Sequence, residues 1–114
     1  MSQAQIDQLH RNIADNRGFV ALQAALSRLQ ANRDFQTIIS SGYLKDEAVR
    51  LVHARSNVAL QSPSDQAALL RDIDAIGSLE AYFRKIEKQA VQALSHIDAD
   101  EETVADLMNP GGDE

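Results

Sequence analysis

The chain has 114 residues, 44% of them apolar, but 17 are alanine and only five carry aromatic rings; the formal net charge is −6. It has no cysteine, which excludes a disulfide framework and thiolate chemistry, and no apolar run nears the roughly 20 residues that span a bilayer. Up to Ile97, 11 Lys/Arg stand against 10 Asp/Glu, whereas Asp98 to Glu114 carries seven acidic residues and no basic one.

This division predicts a nearly neutral helical domain over residues 1–97 and an acidic, largely disordered tail over 98–114, with a short helix as its one ordered part. The N-terminal Met-Ser-Gln-Ala-Gln-Ile-Asp lacks the basic-then-apolar build of a signal peptide, so a soluble, intracellular protein is expected. Alanine removes little area from water, and burial stabilises by about 25 cal/mol per Å². The core should therefore be thin, and self-association or docking on a partner is expected.

From the N-terminus, Ile6, Leu9 and Ile13 recur at helical spacing, as do Phe19, Leu22, Leu26 and Leu29. Together they predict one long helix over about 3–31, with Gly18 as the place for a kink; two helices is the alternative. Asn32-Arg33-Asp34 supplies a stop and an N-cap. A short helix over 34–41 follows, carrying Phe35, Ile38 and Ile39, with Gly42 as its left-handed terminator. A second short helix over 46–55 carries Ala48, Val49, Leu51 and Val52.

Ser62-Pro63-Ser64-Asp65 is the clearest start signal: Ser62 caps, Pro63 fits the first helical position and Asp65 favours the positive helix end. From there Leu69, Ile73, Ile76, Leu79, Phe83, Ile86, Ala90 and Leu94 predict a helix over 63–96. Gly77 at its centre reads as a point of close helix–helix approach. Asp7–Arg11, Asp46–Arg50 and Glu80–Arg84 are i,i+4 pairs on solvated faces. In the tail, Glu101 to Met108 carries Val104, Leu107 and Met108 on one side, before Asn109-Pro110-Gly111-Gly112 breaks any helix. The fold class is therefore all-α: two long helices in an antiparallel, coiled-coil-like hairpin with two short helices between them.

Chemical signatures are missing from this pattern. His10, His53 and His96 fall on separate predicted helices, and none has a His or Cys at i+3 or i+4, the spacing that puts two metal ligands on one face. The acidic run Asp98-Ala99-Asp100-Glu101-Glu102 fails as an EF-hand loop, with Thr103 where glycine is needed and Asn109 where the bidentate glutamate belongs. No Gly-x-Ser-x-Gly turn or phosphate-cradling glycine loop occurs. Asp72 and Asp74, two apart, point to different helix faces. Basic residues are scattered except Arg84, Lys85 and Lys88, so a nucleic-acid partner is set aside. No catalytic residue, metal or cofactor is assigned. The residues expected to carry interactions are Leu69, Ile73, Ile76, Gly77, Phe83, Val104, Leu107 and Met108.

The stretch Phe35-Gln-Thr-Ile-Ile-Ser-Ser-Gly42-Tyr-Leu-Lys-Asp-Glu-Ala-Val-Arg50-Leu-Val52, then Leu60-Gln-Ser-Pro63 and Arg71-Asp-Ile-Asp-Ala-Ile-Gly77-Ser-Leu79, resembles small helical proteins encoded among the virion and packaging genes of tailed bacteriophages. The resemblance spans about residues 34–86 and brings no catalytic residues with it. It implies a non-enzymatic structural or assembly protein of the virion or host cytoplasm whose partners are phage structural or packaging proteins; the apolar stripes of the two long helices, more than the short pair can cover, predict a homo-oligomer. The alternative is an acidic inhibitor or DNA mimic that docks its C-terminal tail on a basic partner. A membrane partner is not expected.

Overall fold

The computed structural model describes residues 3–109. The fold is all-α: two long helices pack against each other with short helical elements between them, and no strand occurs among the described residues. The elements are α1 (Gln3–Gln30), α2 (Arg33–Phe35), a π-helix (Gln36–Glu47), α3 (Ala48–Ala54), a 3₁₀ turn (Val58–Leu60) and α4 (Pro63–Met108). They form two compact units. One joins α1 up to Ala25 with α4 from Lys85 onward; the other spans Leu26 to Arg84.

In the first unit, helix α1 runs unbroken through Gly18. Ile13, Ile97 and Val104 form the buried cluster, with Ile6, Leu9 and Val20 packed on it. Arg17 meets Glu101 at 2.9 Å across the pair. Advancing from Ile13 to Arg17 on α1 thus means stepping back from Val104 to Glu101 on α4, so the helices are antiparallel. The seam of α4 is Ile86, Ala90, Ala93, Ile97 and Val104, at steps of three, four and seven residues. Each fully buried Ile or Val contributes about 1.5–3 kcal/mol, and the alanines much less.

Two sequence expectations change here. Helical spacing puts Leu94 on the apolar face, yet it is 51% exposed while Ala93 is 1% exposed. The steps from Ile86 through Ala90 to Ile97 select position 93, and the larger neighbour Leu94 turns outward. Similarly, Phe19, Leu22 and Leu29 are exposed, because the seam passes from Ile13 to Val20, and of the second apolar series only Leu26 is buried.

The helix expected to end near residue 96 continues to Met108. Asp98 to Met108 is therefore the last part of α4, held by Val104 against Ile13 and by Glu101 on Arg17. The carboxylates do not stop it, since they sit mostly on exposed positions while Ile97 and Val104 keep the seven-residue step. The expected break at Pro110-Gly111-Gly112 lies outside the described residues.

In the second unit, α1 ends as the Asn32 N–H donates to the Leu29 carbonyl at 3.0 Å, and Asn32 turns extended. Its Oδ1 accepts from the Phe35 N–H at 3.0 Å, so Asn32 is the N-cap. The chain then stays helical to Ala54. The short helices expected at 34–41 and 46–55 are joined by the π-helical turns between them.

Gly42 explains the continuity. It does not take the left-handed backbone that a terminating glycine needs. Instead, a Cβ there would stand 2.7 Å from the Thr37 carbonyl oxygen, five residues back. The glycine admits the wider π winding, whose hydrogen bonds run to the fifth residue. Gly77 is different: nothing lies within 4 Å of a Cβ built on it, so it marks no close helix approach.

This helical run lies antiparallel along the first part of α4. The Phe35 and Phe83 rings are 6.1 Å apart and tilted by 57°, while Arg55, at the other end, reaches Gln66. Leu51, 2% exposed, anchors α3. The start of α4 is as the sequence indicates: Ser62 Oγ accepts from the Asp65 N–H at 3.1 Å, and Pro63 is the first helical residue.

Candidate interaction surfaces

Of the residues expected to carry interactions, Ile76 and Val104 are buried inside their own units and are spent on the fold. Leu69, Ile73, Phe83 and Leu107 are half-buried, while Gly77 and Met108 are exposed. The group divides between the units: Leu69, Ile73, Ile76, Gly77 and Phe83 in the second, Val104, Leu107 and Met108 in the first. Among these, only Met108 offers a large, mostly exposed apolar side chain.

The free apolar surface lies elsewhere. In the first unit it includes Phe19 and Leu22 on α1, and Val91 and Leu94 on α4. In the second, Val49 and Val52 on α3 flank a shallow apolar depression completed by Ala48 and His53, and Ile38, Leu29 and Leu70 are also exposed. All of the apolar ones but Val91 and Leu70 belong to the apolar series legible in the sequence at helical spacing. Their outward orientation is not legible there, because it depends on which of two adjacent stripes the partner helix covers.

The second unit also holds a surface cavity of about 300 Å³, lined by Tyr43, Glu47, Arg50, Leu51, Asp72 and Ala75. Tyr43 and Glu47 come from the π-helix, Arg50 and Leu51 from α3, and Asp72 and Ala75 from α4. Arg50 pairs with Glu47, not with Asp46 as the i,i+4 rule suggested. Glu47 to Arg50 is the i,i+3 step into α3, which also brings two side chains together on a helix surface. Arg11 and Asp7 likewise do not pair: Arg11 donates to Gln8 and Asp7 accepts from Gln3. Glu80 and Arg84 do, at 3.4 Å.

Gln66 belongs to no motif in the sequence, yet it organises the loop before α4. Its Nε2 donates to the Leu60 carbonyl at 2.7 Å and to the Arg55 carbonyl at 3.1 Å, and its Oε1 accepts from Arg55 Nε at 3.2 Å. It thus ties the end of α3, the 3₁₀ turn and the first turn of α4 together. Gln61 reinforces the same loop by donating to the Arg55 and Asn57 carbonyls.

His10, Ile13, Arg17, Glu101 and Val104 line a groove in the first unit, where the Arg17–Glu101 pair is exposed on both sides. Such a pair contributes about 0–1 kcal/mol. Among the described residues, no three His, Asp or Glu side chains are grouped to hold a metal ion, and no helix is long and apolar enough to cross a membrane. No family model, curated protein or solved structure matches the chain.

Proposed function

We propose that this protein is a non-enzymatic assembly subunit that works through helix-mediated protein–protein association, of the kind encoded among the virion and packaging genes of tailed phages. It would act in the virion or host cytoplasm as a homo-oligomer bound to phage structural or packaging proteins. The observation that carries the reading is the exposed apolar residues on helices whose inner seams are already occupied: Phe19, Leu22, Val91 and Leu94 in the first unit, Val49 and Val52 in the second. Phe19 with Leu22, and Val91 with Leu94, stand three residues apart on one helix face, and on this reading association covers them. Long helices joined side by side as a coiled coil would bury them.

Light scattering across a concentration series tests this. The full chain is expected above monomer mass, and Phe19→Ser with Leu22→Ser should lower the mass without loss of helix by circular dichroism. A strict monomer at high concentration that captures no virion or packaging protein would sink the proposal.

A second reading has one specific observation in its favour. Asp98, Glu102 and Asp106 are exposed at four-residue steps on helix α4, a fixed row of carboxylates. An acidic inhibitor or DNA mimic would set such a row against a basic channel. Replacing the three by Asn, Gln and Asn abolishes partner binding on that reading, and leaves association intact on the first.

A further inference from the structure

We infer that the cavity between the π-helix, α3 and α4 receives an arginine side chain from a protein partner. Its lining carries two carboxylates, one guanidinium and one phenol. The guanidinium is already committed, because Arg50 Nε and Nη2 both turn to the same Glu47 oxygen, Oε1. Asp72 has no hydrogen-bond or ion-pair partner among the described residues, and neither does the Tyr43 hydroxyl. The unspent groups are the Asp72 carboxylate and the second Glu47 oxygen, which only accept, and the Tyr43 phenol, whose O–H both donates and accepts beside its ring. The net charge of the lining is −1.

An anion would have to displace Glu47 from Arg50 and sit beside Asp72, which disfavours it. A cation meets no such obstacle. Leu51 and Ala75 add apolar surface on which an alkyl stem can lie. The planar guanidinium fits best, since it can bond a carboxylate through two parallel N–H groups and stack on an aromatic face, whereas an ammonium acts as a point charge. A volume of about 300 Å³ at the surface suits one projecting side chain.

The π-helix that Gly42 admits contributes Tyr43 and Glu47 to the lining, beside Arg50 from α3 and Asp72 from α4. The inference deepens the association reading and rests on it only for the source of the arginine.

The test is a nuclear magnetic resonance titration of the full chain with N-acetyl-arginine N-methylamide, against its uncharged citrulline counterpart and the lysine counterpart. Saturable shifts are expected at the amides of residues 43, 47, 72 and 75, with millimolar affinity. The citrulline probe should bind at least about fivefold more weakly, the loss of a charge-assisted pair, and the lysine probe should fall between. Asp72→Asn should weaken the arginine probe by about the same factor. Equal binding of the citrulline probe, or no saturable shift at those residues, overturns the inference without recourse to any variant. Light scattering on the same sample separates the two proposals. Association without arginine binding removes the cavity's role alone, whereas arginine binding by a strict monomer that captures no virion or packaging protein upholds the cavity and removes the assembly reading.

Discussion

Replacing Gly42 and Gly77 one at a time by alanine should give stability changes of opposite sign. Alanine in a helix interior is favoured over glycine by about 1 kcal/mol. At Gly77 nothing lies within 4 Å of the added methyl, so most of that gain is realised. At Gly42 the methyl would stand 2.7 Å from the Thr37 carbonyl oxygen, against an ordinary contact of at least 3.4 Å. Backbone must give way, because the obstructing atom belongs to a helical turn and not to a flexible side chain. Forced overpacking costs about 1–3 kcal/mol, so Gly42→Ala nets about 1 kcal/mol of destabilisation after the propensity gain. The two variants should then differ by about 2 kcal/mol. Urea denaturation followed by circular dichroism at fixed protein concentration measures the difference, with a thermal midpoint gap of about 8 °C at about 4 °C per kcal/mol. If Gly42→Ala proves as stable as Gly77→Ala, the close approach of Thr37 and the π winding built on it are refuted.

Other substitutions probe the packing. Val104→Asp buries a charge against Ile13 and should cost about 2–4 kcal/mol; amide exchange should show residues 98–108 losing protection, and unchanged protection would mean that this segment does not pack on α1. Ala93→Leu should overpack the seam and destabilise by about 1–3 kcal/mol, while Leu94→Ala should change monomer stability by less than about 0.5 kcal/mol; the reverse order in denaturation would place the seam one residue further on. Gln66→Ala removes three hydrogen bonds at the α3–α4 loop and should cost about 1–2 kcal/mol, read as a lower urea midpoint at the same slope.

The sequence by itself determined the fold class, the start of α4 and the extent of α1. Those rest on local chemistry: Ser62 and Pro63 cap and open a helix wherever they stand, and the recurrence of Ile6, Leu9 and Ile13 needs no partner to be read. The charge division at Asp98 was also legible as composition, but it does not mark a structural boundary, since α4 crosses it unbroken to Met108. Only the tertiary structure decided which apolar stripe faces inward. Phe19, Leu22 and Leu94 satisfy helical spacing as well as Val20 and Ala93 do, and the facing helix, not the spacing, selects between them. The same holds for the cavity. Tyr43, Glu47, Arg50 and Asp72 share no sequence motif, and they meet only where the π-helix, α3 and α4 line one cavity. Period and capping are properties of one helix; burial and shared sites are properties of a pair, and a single chain pattern does not name the partner face.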